Sequence, residues 1–95
     1  MLQETRRLKA SADVIYTVLE GDAVLMHLTS GVYYGLDSVG ASVWQKLEEP
    51  VSREEICRYI AETFDVEPSV CRADIQVLLT ELEEAGLVET VPTRH

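Results

Sequence analysis

The run Gly31-Val32-Tyr33-Tyr34-Gly35-Leu36-Asp37-Ser38-Val39-Gly40-Ala41-Ser42-Val43-Trp44 constrains the fold more than any other part of the chain. Val-Tyr-Tyr favours an extended backbone, and Gly31 supplies a positive-φ turn ahead of it. Asp37 or Ser38 then caps a helix that carries Val39, Val43, Trp44 and Leu47 inward. A strand that runs straight into a helix commits the chain to a mixed architecture. That strand, Val32–Leu36, holds no Lys or Pro, the residues that usually keep other chains off an exposed ladder.

Upstream, Asp13–Leu19 is rich in β-branched and aromatic residues, Glu20-Gly21-Asp22 makes a turn, and Ala23–Leu28 forms a second strand. Thr29-Ser30-Gly31 turns again, so three strands form an antiparallel meander with Val32–Leu36 last. Alternation points Val32, Tyr34 and Leu36 toward the helices and Tyr33, Gly35 and Asp37 away. Tyr34 is then a packing residue, while Tyr33 either covers the outer face of the sheet or touches a partner. Gly35 either allows close approach of another backbone or marks a bulge. His27 reads as a solvent-facing or rim residue without a catalytic role.

The pattern then changes to helical. The first helix spans about Val39–Leu47 and ends before Pro50. Ser52-Arg53-Glu54-Glu55 is a capping box, and the helix it opens turns Ile56, Cys57, Ile60, Ala61 and Phe64 inward. Pro68 starts a third helix that runs to Ala85, with Gly86 as its positive-φ terminator and Leu87 folding back. Its core stripe is Cys71, Ile75, Leu78, Leu79, Leu82 and Ala85. A second strip holds Val70, Ala73, Asp74, Val77 and Glu81. Val70 and Val77 are too apolar for a purely solvated face, and they either pack on the sheet or tail or form one wall of a shallow groove.

The fold class is therefore α+β, winged helix-turn-helix-like, with an N-terminal three-stranded antiparallel sheet followed by three helices. Residues 1–12 are polar and aperiodic and read as a flexible arm. Residues 13–89 make one domain, and 90–95 a tail. Nothing resembles a membrane span or a signal peptide, which points to the cytoplasm.

Charge excludes more than it identifies. With 17 acids against 8 Lys plus Arg, the net charge is -9. From Glu48 to Glu89 the acids face only Arg53, Arg58 and Arg72. A recognition helix needs Arg, Lys, Asn or Gln toward the groove, but Pro68–Ala85 sets one Arg and one Gln against Asp74, Glu81, Glu83 and Glu84. A winged-helix DNA-binding regulator is thus the weaker alternative, and a protein–protein adaptor is another. Cys57 and Cys71 lack a nearby His and read as buried free thiols, so no metal or other cofactor is expected. The glycines fit neither a dinucleotide nor a phosphate-loop spacing, and no nucleophile–base pair is evident. The chain is not expected to be an enzyme.

Gly31–Trp44, Phe64-Asp65-Val66-Glu67-Pro68, Ala73-Asp74-Ile75 and Leu82-Glu83-Glu84-Ala85-Gly86-Leu87-Val88 together resemble, in order and spacing, PqqD-like proteins. The similarity spans roughly Asp13–Glu89. PqqD-like proteins are recognition elements for ribosomally made, post-translationally modified peptides (RiPPs), and the free-standing length and tyrosine pair are most similar to those of lasso-peptide pathways. The resemblance implies a non-catalytic protein that holds a precursor's leader peptide as an added strand on Val32, Tyr33, Tyr34, Gly35 and Leu36. The leader would lie against Val70, Ala73, Asp74 and Val77, with Leu78 and Glu81 beside them. In lasso leaders a Tyr-x-x-Pro element is expected to enter an apolar pocket, placed here at Val70 and Val77. Asp74 and Glu81 either take basic or amide groups of the leader or are plain surface acids. A lasso pathway implies a cysteine-protease leader peptidase and an ATP-dependent cyclase as further partners, and a PqqD-proper pathway a radical enzyme instead.

Overall fold

Two tight turns build the meander. In the computed structural model, which describes residues 6–91, strands β2 (Val14–Leu19) and β3 (Asp22–His27) are joined by Glu20 and Gly21 alone. Both have positive φ, 53° and 92°. That is the two-residue hairpin whose twist matches the flanking strands. β3 then pairs antiparallel with β4 (Tyr33–Leu36), giving the order β2-β3-β4 with β4 at one edge.

β4 passes directly into helix α1 (Ser38–Lys46). Of the two candidate caps it is Asp37 that acts, its side chain accepting from the Gly40 amide at 2.9 Å. Gly40 lets the helix lie close on its own strand. A Cβ there would sit 3.1 Å from both Cβ and Cδ2 of Leu36. Val43, Trp44 and Leu47 are buried as the periodicity requires.

A short strand β5 (Val51–Ser52) leads into α2 (Arg53–Phe64). The capping box forms: Ser52 Oγ accepts from the Glu55 amide at 3.1 Å, and Glu55 Oε1 accepts from the Ser52 amide at 3.0 Å. Helix α3 (Pro68–Glu84) closes with Gly86 at φ 77°. The Leu87 amide donates to Leu82 O and the Gly86 amide to Glu83 O. This 6→1 and 5→2 pair drives Leu87 into the core, where it is fully buried.

The structure departs from expectation at the N-terminus. Arg7–Ala10 is not a flexible arm but strand β1, the centre of a second antiparallel sheet ordered β5-β1-β6, with β6 at Val88–Val91. The Ala10 amide donates to Leu47 O and the Ser11 amide to Leu87 O. Leu8 is buried while Arg7 and Lys9 flank it at the surface. One buried residue between two cations gives too short an alternation to read as a strand, and pairing between the chain's two ends supplies the stability. The rest of the expected arm (1–5) and of the tail (92–95) lies outside the described residues.

The molecule is thus α+β with two three-stranded sheets and three helices among the described residues. Leu25, Val43, Trp44, Leu47, Ile56, Ile60, Leu82 and Leu87 form the fully buried centre. Both sheets reach it, one through Leu25 and Leu36 and the other through Leu8 and Val88. One facing assignment also changes. Tyr34 and Leu36 turn inward as expected, but Val32, one residue before β4, stays 47% exposed.

Candidate functional site

The pairing of β4 determines which of its backbone groups are free. The His27 amide donates to Val32 O at 2.9 Å, so Val32 belongs to a hydrogen-bonded pair. Such pairs alternate along an antiparallel ladder, so Val32 O and the N–H and C=O of Tyr34 and Leu36 face β3, while the Val32 N–H donates to Ser30 Oγ at 3.3 Å. Tyr33 and Gly35 direct theirs outward. The usable edge within Val32–Leu36 is therefore these two residues, four polar groups in all. Gly35 pairs regularly with Val24, so it marks no bulge, and a Cβ there would meet nothing within 4 Å.

Tyr33 is 69% exposed on the outer face of the sheet. Tyr34 points the other way and is half-buried; its hydroxyl donates to Glu81 Oε1 on α3. That hydrogen bond, then partial burial and the nearby carboxylate charge, raise the Tyr34 phenol above its usual range. Glu81 is therefore neither a plain surface acid nor wholly available to a ligand, since Oε1 is already engaged. Leu36 is buried against the core and contributes no side chain to the surface.

On α3, residues three and four apart share a face. Val70, Ala73, Asp74, Val77 and Glu81 form one exposed strip, with Val70 51% and Val77 59% exposed. Neither valine is among the hydrophobic side chains that pack against the core. Leu78 lies beside the strip, partly buried against the core. Because Glu81 bonds Tyr34, the strip begins next to β4 and climbs α3 through Val77 and Asp74 to Val70, about 16 Å at 1.5 Å per residue. A strand edge unpaired among the described residues and an apolar helix strip thus converge at one fixed point.

Catalytic chemistry finds little here. Cys57 and Cys71 are free and buried, and burial pushes both thiols up, away from the thiolate a nucleophile needs. His27 is a rim residue, its Nδ1 accepting from the Ser30 amide at 3.2 Å. No metal-ligand cluster occurs among the described residues, and none of their helices is long and apolar enough to cross a membrane. Sequence reasoning missed the Tyr34–Glu81 bond, which joins residues 47 positions apart. Only the coincidence of an inward Tyr on β4 with an acid on the second strip of α3 hinted at it.

Comparison with known proteins gives a consistent result. A family model for coenzyme PQQ synthesis protein D (PqqD) matches residues 22–88. The structure of TbiB1 in complex with the TbiA(beta) leader peptide has a TM-score of 0.78 and 34% identity, covering 85% of this chain and 94% of that one. A lasso peptide synthetase B1 complexed with the leader peptide has a TM-score of 0.74 at 23% identity, covering 86% and 96%. The solution structure of the PqqD truncation of Methylobacterium extorquens PqqCD, a stand-alone RiPP recognition element, has a TM-score of 0.71 at 20% identity, covering 87% and 88%. The last two likenesses establish the fold alone. No curated protein matches.

Proposed function

The chain belongs to the PqqD family, and from that premise we propose that it binds the leader segment of a ribosomally made precursor peptide, of the lasso class. The observation that carries the reading is the convergence of the free β4 edge with the Val70–Glu81 strip at the Tyr34–Glu81 bond. The 34% identity to TbiB1, a protein solved with a leader peptide bound, supports it.

In this reading the leader adds to β4 as an antiparallel strand. Tyr33 and Gly35 supply ladder bonds that hold any extended backbone, and the α3 strip supplies selectivity. Every second leader side chain faces α3, where Val70 and Val77 receive the apolar residues, those of a Tyr-x-x-Pro element in a lasso leader. Asp74 takes a basic or amide group, and Glu81 offers its remaining oxygen. Ordering a free peptide costs about 2–5 kcal/mol, so submicromolar affinity, about −8 kcal/mol net, needs both the ladder and the buried anchors. The protein performs no chemistry itself. It presents the leader to a cysteine-protease leader peptidase and an ATP-dependent cyclase in the cytoplasm.

Titration with the leader of the precursor encoded beside it, followed by amide exchange, tests the reading. Bound leader should slow exchange at Tyr33 and Gly35 and leave Tyr34, already bonded to β3, little changed. Tight binding without protection of Tyr33 and Gly35 would place the leader elsewhere.

A further inference from the structure

The sheet has a second open edge, and the leader does not use it. Among the described residues, β2 pairs only with β3. The Leu28 amide donates to Asp13 O at 2.7 Å, so the hydrogen-bonded pairs of β2 fall on Asp13, Ile15, Thr17 and Leu19. Tyr16 and Val18 therefore direct N–H and C=O away from the sheet. Val-Ile-Tyr-Thr-Val-Leu contains no charge, Pro or Gly, and so none of the devices that protect natural edges.

The strand is also tied to α1 and the residues after it. Tyr16 meets Trp44 edge-on with ring centroids 6.3 Å apart, and its hydroxyl donates to Glu48 Oε2 at 2.7 Å. On the outer face, Ile15, Met26 and Tyr33 form one cross-strand row, and Leu19 continues the apolar surface toward the hairpin. Ile15 and Leu19 are both more than half exposed. The helices pack on the opposite face, where Leu25 is buried and Tyr34 reaches α3.

Charge selects the occupant. Between Lys9 and Lys46 there is no Lys or Arg, and the acids of that segment are Asp13, Glu20, Asp22 and Asp37, with Glu48 against Tyr16 and Glu81 against Tyr34 adding to them. A second copy fits poorly. Antiparallel β2–β2 pairing of the outward-bonding residues, Tyr16 opposite Val18 about a two-fold at Thr17, sets Asp13 of each copy opposite Gly21 of the other and beside its Glu20, between molecules that each carry a net charge of -9. A strand with an apolar centre and basic flanks turns both repulsions into attractions.

We propose that the β2 edge is a second docking site, which takes an extended apolar segment flanked by Lys or Arg from a partner protein. The partner strand adds beside Tyr16 and Val18 and covers Ile15 and Leu19. Its basic flanks meet Asp13 at one end and Glu20 at the other. Since β2 and β4 lie on opposite edges of one sheet, a peptide on β4 and the partner strand on β2 bind together without competing.

The test uses the full chain with two synthetic probes: an alternating Val/Thr segment flanked by lysines, and the same segment flanked by glutamates. With either probe raised to about 1 mM, where even −4 kcal/mol registers, the lysine probe should slow exchange at Tyr16 and Val18. It should bind at least tenfold more tightly than the glutamate probe. The double variant Asp13→Lys, Glu20→Lys should reverse that preference. Val18→Pro should abolish binding, since it removes an outward N–H and no internal bond. Protection at Tyr33 and Gly35 instead, or no binding by either probe, overturns the proposal and leaves leader binding at β4 standing. Concentration-dependent dimers in sedimentation, with Tyr16 and Val18 protected, overturn the choice of occupant in favour of a second copy.

Discussion

The Tyr34 hydroxyl donates to Glu81 Oε1, a contact that ties the edge strand of one sheet to the longest helix. It fixes the spacing between β4 and the α3 strip before any ligand arrives. A site that is already spaced loses less entropy on binding than one that must assemble.

The bond has a pH signature. A donating phenol must be neutral, and Tyr34 is raised from the usual 10.0 chiefly by its bond to Glu81. A raised group contributes its stabilisation fully below the ordinary value and loses it as pH climbs through the higher folded value. Spectroscopic titration of phenolate should therefore show one late-ionising tyrosine fewer in Glu81→Gln than in the wild type. Superimposable curves would mean that the bond is absent in solution.

Val77 tests the helix wall. It is exposed, so Val77→Asp should leave the thermal melt close to wild type. Affinity for the cognate leader should fall at least tenfold, about 1.4 kcal/mol, because an acid in an apolar contact must be desolvated. Unchanged affinity by fluorescence polarisation, in a folded variant, would remove Val77 from the groove.

Local signals made most of this architecture readable. The Ser52 capping box, Pro68 at the start of α3 and Gly86 at its end are chemistry within a few residues, and each forms as read. The same holds for the two faces of α3, since helical spacing alone separates Ile75 and Leu82 from Val70 and Val77. What escaped was non-local. β1 depends on pairing with Glu89 and Thr90 near the far end of the chain, and β5 on Val51 and on Ser52, which reads as a helix cap. The free groups of β4 were narrowed to Tyr33 and Gly35 only by register, which no composition encodes.

β1 therefore deserves its own measurement. Leu8 is 7% exposed and joins the common core, so Leu8→Ala should destabilise the fold by about 2–3 kcal/mol, the low end for a Leu near the edge of a core. Lys9→Ala, at an exposed position of the same strand, should cost well under 1 kcal/mol. Equal, small losses for both in urea unfolding would return Arg7–Ala10 to the status of a loose arm.

The α2 cap offers a local control. Ser52 Oγ satisfies the Glu55 amide, and Ser52→Ala should cost about 1 kcal/mol in urea unfolding. Leader affinity should not change, because Ser52 lies in the other sheet, paired with Arg7. A large loss of affinity without a loss of stability would show that the second sheet participates in binding.

Nucleic acid remains the sharpest contrast to a peptide. The exposed side of α3 offers Arg72 and Gln76, but Gln76 Oε1 already accepts from Arg53, while Asp74, Glu81, Glu83 and Glu84 share the helix surface. Duplex binding draws on counterion release by cations, and this surface supplies almost none. Gel-shift titration with duplex DNA at low salt should show no retarded species at concentrations that saturate the leader. A low-salt shift that weakens as salt rises would restore the regulator reading. The acids that exclude a phosphate backbone favour a peptide that carries basic residues, so leader binding should weaken modestly with salt rather than vanish: the ladder at Tyr33 and Gly35 and the contacts of Val70 and Val77 are uncharged and insensitive to screening.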